Sequence, residues 1–174
     1  MERRMRKFRW FWAWQDDKEE HWLEEMSAQG WHLTEIALPI QYTFTAGEPR
    51  RYAYRLDYIT VKRAERASYY QLFRDAGWEH LGEMSNWQYW RKEITSEETP
   101  EIFTDADSKV QKYRRLLGIL IVLFPVYITI FLTQTSDRYG DFGMVIHLLY
   151  LAIMVLYAYG ILKLIHRISQ LRRL

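Results

Sequence analysis

Arg55 and Asp57 are the polar residues of this 174-residue chain best placed to recognise another molecule. They stand two apart in the run from Arg51 to Ile59, where strand alternation puts both on one face beside tyrosines, Tyr54 among them. A guanidinium in that position can hold a carboxylate or phosphate through parallel hydrogen bonds while a neighbouring carboxylate orients it. The same spacing also fits a cross-strand ion pair on a solvated sheet face. Tyr54, Trp12 and Trp90 are expected to supply the flat apolar surface of such a site, since aromatic rings carry much contact area at little conformational cost.

Other chemistry finds little support. There is no Cys, which removes a thiol nucleophile and a thiolate metal site. Phosphate-cradling glycine loops, HExxH and GxSxG are absent. His21, Glu24 and Glu25 stand at i, i+3 and i+4 and fit a solvated helix face better than a metal site. His32 and His80, beside two Gly-Trp steps, read as surface or hydrogen-bonded core residues, and His147 lies within an apolar run where it should turn towards a neighbouring helix. The expectation is therefore a non-catalytic protein with neither metal nor cofactor.

The elements that must position these residues occur twice. Gly30-Trp31 and Gly77-Trp78 each end a helical pattern, and each is followed by an aromatic strand, from Gln41 and from Trp87. In the first unit Lys7 to Trp14 reads as a strand with Phe8, Trp10, Trp12 and Trp14 on one side. A helix then runs from Asp16 or Asp17 to Gln29, its first turn acidic as the helix dipole favours, with Trp22, Leu23, Met26 and Gln29 on one side. The second unit has a strand at Arg51 to Ile59 and a helix near Ala64 to Ala76 with Tyr69, Leu72, Phe73 and Ala76 on one face. Gly30 and Gly77 are expected to cap the two helices in the left-handed conformation. The pattern predicts an α+β domain over residues 1–93, most economically one antiparallel sheet with both helices on one face. The aromatic set then either packs beneath the helices or lines a helix-free face that binds a ligand or partner.

Residues 94–109, acidic and Thr/Ser-rich, read as a linker, and residues 110–174 as a transmembrane helical hairpin with basic flanks. Leu116 to Thr135 and Met144 to Leu162 carry no Lys, Arg, Asp or Glu, and each approaches the ~20 apolar residues needed to span a bilayer. The intervening Ser136 to Gly143 makes them antiparallel neighbours. Lys109, Lys112, Arg114 and Arg115 precede the first run; Lys163, Arg167, Arg172 and Arg173 follow the second; the loop has only Arg138 against Asp137 and Asp141. The positive-inside rule then places both termini, and the Trp-rich domain, in the cytoplasm of a protein resident in the cell membrane. The basic N-terminal lead has no apolar stretch or cleavage site to make it a signal peptide. The net charge of +2 hides two unlike parts, since residues 1–112 hold 17 Lys and Arg against 20 Asp and Glu. That balance excludes nucleic acid as the expected partner.

Glu19 to Leu33, Tyr42 to Pro49, Tyr52 to Tyr58, Tyr69 to Gly82 and Trp87 to Lys92, followed by a hydrophobic pair, resemble the bacterial membrane proteins catalogued as domain of unknown function 2812. The likeness covers about residues 5 to 93 through a WL..M...GW.L and Y.YR.D pattern. It implies no particular activity; neighbouring PadR-type regulators in that family imply, by association, a regulatory or envelope-response role. The duplicated unit is also similar in order to the small-molecule sensing domain of the GyrI-like group. These readings lead to a membrane-tethered cytoplasmic sensor or interaction domain, with the lipid bilayer and a protein partner or a small apolar or aromatic ligand as its associates. The alternative is an accessory subunit of a transporter or other membrane complex, and an enzyme comes third.

Overall fold

The structure is a computed structural model, and it describes residues 3–38, 40–60, 62–95, 99–102, 106–133 and 142–172. The chain divides into two units, Met1–Asp105 and Ala106–Leu174.

The first unit is α+β and duplicated. Its elements are β1 (Arg4–Phe8), α1 (Asp16–Ala28), β2 (Trp31–Ala37), β3 (Gln41–Ala46), β4 (Tyr52–Tyr58), α2 (Arg63–Asp75), β5 (Glu79–Met84) and β6 (Trp87–Glu93). Asp16 to Arg63 and Ala28 to Asp75 are both 47 residues, so the helices repeat in register. Each half forms a three-stranded antiparallel sheet with its first and second strands flanking its third, β1-β3-β2 and β4-β6-β5. Both second strands carry a register shift at the same place, between Leu33 and Glu35 and between His80 and Gly82.

The caps follow from the glycines. Gly30 and Gly77 have φ of 82° and 81°, a region open to Gly without steric cost. After α2 the Gly77 N–H donates to Arg74 O at 2.8 Å and the Trp78 N–H to Phe73 O at 2.9 Å, the double closure of a Schellman motif. Trp78 and Phe73 then share a buried cluster, which supplies the hydrophobic contact that accompanies such an end.

Three expectations are corrected. The single sheet with both helices on one face is two sheets, and the second is covered on both faces. Tyr54, Leu56 and Tyr89 join Trp22, Leu23, Met26, Leu33, Tyr42 and Phe44 in one core, while Ala53 and Trp90, from the opposite face, pack with Phe73 and Trp78. No helix-free aromatic face remains on the second sheet because β4 alternates between these two clusters. The first strand ends at Phe8, not Trp14, since its ladder partner β3 begins at Gln41, opposite Phe8. Trp10, Trp12 and Trp14 therefore leave the sheet. On α2, Leu72 is exposed, and the buried side is Tyr69, Tyr70 and Phe73.

The open edge of β4 is closed by α1. The Tyr54 N–H donates to Glu24 Oε1 at 3.3 Å and the Leu56 N–H to Glu20 Oε1 at 2.8 Å. Glu20 and Glu24 stand one helical turn apart, so they meet alternate residues of the strand and block edge-to-edge pairing. Ile94 and Ile102, from the stretch expected to be a linker, pack against the α2 cluster, and the Ile94 N–H donates to Arg51 O at 2.9 Å.

The second unit is a hairpin of α3 (Ala106–Thr133) and α4 (Gly143–Leu171). Both helices are long and apolar enough to cross a membrane. Tyr127 Oη donates to Tyr150 O and Tyr157 Oη to Leu120 O, each at 2.7 Å, so partners step up one helix as they step down the other. Most of the expected loop, with Ser136, Asp137, Arg138 and Asp141, lies outside the described residues, as does Arg173. Pro125 falls within α3, which continues through it, and Thr129 Oγ1 donates to Pro125 O at 2.9 Å.

Candidate functional site

The aromatic residues that leave β1 build the site. After Phe8 the chain turns towards α1, held by Trp12 N–H to Gln15 Oε1 at 3.1 Å and Gln15 N–H to Trp12 O at 2.8 Å. Trp12 stacks on Trp14 with centroids 5.3 Å apart, and Trp10 meets Trp12 edge-on at 5.4 Å. The Trp10 and Trp12 rings form one wall of a cavity of about 290 Å³. Its other lining residues are Phe11, Ala13, Asp16, Glu19, Ile40, Tyr42, Leu56, Met84, Trp87 and Tyr89.

Each half contributes a hairpin end. Met84 and Trp87 flank Ser85 and Asn86, whose φ values of 50° and 68° suit a two-residue type I′ turn. Ile40, before β3, has φ of 77°, a strained conformation for a β-branched residue, and its carbonyl accepts the Arg9 N–H at 3.4 Å.

Glu19 is the polar centre. It stands in phase with Trp22, Leu23 and Met26 on the buried side of α1 and is only 6% exposed. Tyr89 Oη donates to Glu19 Oε1 at 2.6 Å and Tyr42 Oη to the same oxygen at 2.7 Å; Oε2 receives neither. Burial raises the Glu19 pKa above the ordinary carboxylate value; the two phenols oppose that rise and Asp16 adds to it. Burial beside Glu19 also pushes both phenols above the usual tyrosine range. The site thus presents a buried carboxyl group beneath an aromatic wall. Among the described residues, neither Lys, Arg nor His lines it.

Among the five residues expected to form the site, Trp12 lines this cavity, and Arg55, Asp57, Tyr54 and Trp90 do not. Arg55 is gripped by Glu24 at 2.7 Å, Glu101 at 2.8 Å and Glu20 at 3.8 Å, so its fork is directed at protein carboxylates. Burial would lower its pKa, but Glu20, Glu101 and Glu24 outweigh that and raise it. Asp57 is buried and accepts Tyr69 Oη at 2.9 Å. Tyr54 lies in the main core. Trp90 is fully buried, stacks on Phe73 at 4.7 Å and donates Nε1–H to Tyr69 Oη at 3.2 Å. Arg55 and Asp57 do share a strand, but both are consumed by intramolecular bonds because that face of β4 lies under α2 and beside α1.

The histidines hold structure together. His32 joins Ser27 Oγ at 2.9 Å and Glu48 O at 2.8 Å; His80 meets Gln88 Oε1 at 2.9 Å, and burial lowers its pKa. His21 pairs with Glu25 at 3.3 Å on the open face of α1. No three His, Asp or Glu among the described residues converge as a metal ion would require.

No curated protein matches the chain. No solved structure matches it either, so the likeness to GyrI-like sensing domains rests on the order of elements alone. A family model does match, from residue 15 to residue 125, taking in both helices of the duplicated unit, five of its six strands and the first part of α3. The chain belongs to the family described as protein of unknown function (DUF2812).

Proposed function

We propose that the protein is a non-catalytic, membrane-tethered sensor whose duplicated domain binds a small ligand in the cavity around Glu19. The observation that carries this reading is the cavity itself: about 290 Å³, at the small end of ligand pockets, walled by Trp10, Trp12 and Trp87 and floored by a carboxyl group that two phenols orient. Aromatic walls with a few fixed polar groups are the usual construction of small-molecule sites. The two long apolar helices serve as the tether, and the basic residues at their outer ends support a cytoplasmic location for both termini. Regulation is the role such an arrangement suits, since a ligand held in the soluble unit can bias what the tethered protein engages.

The test is retention of a small molecule by the full chain extracted gently from its own membrane. Ala13 lines the cavity, so Ala13→Trp should fill it. A compound recovered with the wild-type protein and lost from Ala13→Trp supports the reading; equal recovery from both contradicts it.

A further inference from the structure

We infer that the cavity takes a small organic cation, an amine or quaternary ammonium bearing an apolar group, seated against Trp10, Trp12 and Trp87 with Glu19 and Asp16 as its counter-charges. The inference rests on the reading of the cavity as a ligand site and names the chemistry of what enters.

Three observations converge. Among the described residues the lining holds two carboxyl residues and no basic one, with Asp16 4% and Glu19 6% exposed. An anion would meet both carboxyl groups, and the N-terminus of α1 offers it only about half a positive charge. A neutral apolar ligand would cover both carboxyl groups further and offer them neither charge nor hydrogen bond. A cation gains the ion pair and also the negative faces of the indoles. The neighbouring rings already show this preference, for the Arg9 guanidinium lies 5.1 Å from the Phe11 centroid and 5.0 Å from that of Trp22.

The fold prepares the geometry before a ligand arrives. Trp12 is fixed by its stack on Trp14 and by the edge of Trp10, so an indole face is held without ordering a free side chain on binding. Because burial raises the Glu19 pKa and a cation favours the ionised carboxylate, binding tightens as pH rises through that raised value. The groups facing Glu19 in this equilibrium are Asp16 on its own helix, Tyr42 on β3 and Tyr89 on β6, with the Arg9 charge acting on Tyr42.

Three probes of one size separate the possibilities: benzyltrimethylammonium, its neutral isostere neopentylbenzene, and phenylacetate. Binding is measured by calorimetry on the full chain in nanodiscs of zwitterionic lipid, with Ala13→Trp nanodiscs subtracting partition into lipid. The cation should bind about tenfold or more tighter than the isostere, and phenylacetate weakest. Glu19→Gln should remove most of the cation's advantage while leaving neopentylbenzene within about twofold. The wild-type comparison needs no variant, so a poorly folded Glu19→Gln protein leaves the test intact. Equal binding of cation and isostere, or preference for phenylacetate, overturns the inference while the cavity remains a ligand site. Failure of all three to bind overturns the ligand-site reading as well.

Discussion

The two cap glycines provide an experiment with its own internal control. Gly30 and Gly77 share a φ near 80°, so an Ala at either pays the same left-handed penalty of about 1–2 kcal/mol. Reduced freedom of the unfolded chain returns about 0.4–1 kcal/mol in both cases. What differs is the space. A Cβ on Gly77 would meet Lys92 Cε at 3.5 Å, an ordinary contact with a flexible chain. A Cβ on Gly30 would lie 2.6 Å from the Gly47 carbonyl oxygen, and the Gly47 N–H donates to Gly30 O at 2.8 Å. Backbone must move there, and weakening that hydrogen bond costs a further ~0.5–1.5 kcal/mol. Gly77→Ala should therefore cost about 1 kcal/mol and Gly30→Ala about 2 kcal/mol or more. Urea unfolding of the full chain in micelles, followed by Trp fluorescence, measures this cleanly, because all eight Trp precede Glu93 and report on the first unit alone. Equal losses at the two positions would refute the steric part of the reasoning, and unchanged stability in both would refute the caps.

Arg55→Ala should cost about 2–4 kcal/mol by releasing Glu20, Glu24 and Glu101, close to the ~3–5 kcal/mol expected for Trp22→Ala in the main core; the same unfolding curves compare them. Tyr42→Phe removes a phenol that donates to a buried carboxyl group and should cost about 1–3 kcal/mol, read as a lower urea midpoint at unchanged slope. Since the Glu19 pKa is raised on folding, its contribution to stability is complete below the ordinary carboxylate range and is lost as pH rises through the folded value; the wild-type advantage over Glu19→Gln should shrink along that rise, and a growing advantage would contradict the sign. Single cysteines placed at Ser96 and Ser136 of this Cys-free chain test the tether: an impermeant reagent on intact cells should label the second and spare the first.

The duplication was legible because its punctuation is local. A Gly that must adopt positive φ, followed by Trp, marks both helix ends, and the hydrophobic period changes on either side of it. Sheet division was not legible, since β4 alternates aromatic with Ala, Arg and Asp, and the sequence carries no sign that Ala53 and Asp57 are buried as deeply as Tyr54. The Arg55 pairing is not legible, because an Arg beside a strand edge fits a ligand carboxylate or three protein carboxylates equally well, and Glu101 comes from a stretch with no periodicity. The cavity was missed because Trp10 and Trp12 were assigned to a strand that ends at Phe8, where β3 gives out. One signal is present. Glu19 falls in phase with Trp22, Leu23 and Met26, and an acid on an apolar helix stripe is a costly placement, masked here because Glu19 also falls in the acidic first turn that the helix dipole favours.

The most direct measurement labels the eight tryptophans with 5-fluorotryptophan, assigns each fluorine resonance by single Trp→Phe substitution, and titrates the full chain with benzyltrimethylammonium. The cavity places Trp10, Trp12 and Trp87 against the ligand and Trp14 behind Trp12, while Trp78 and Trp90 belong to the α2 cluster. Saturable shifts at Trp10, Trp12 and Trp87, with Trp78 and Trp90 unmoved, are the predicted result. Shifts confined to Trp78 and Trp90, or none that saturate, would contradict the account.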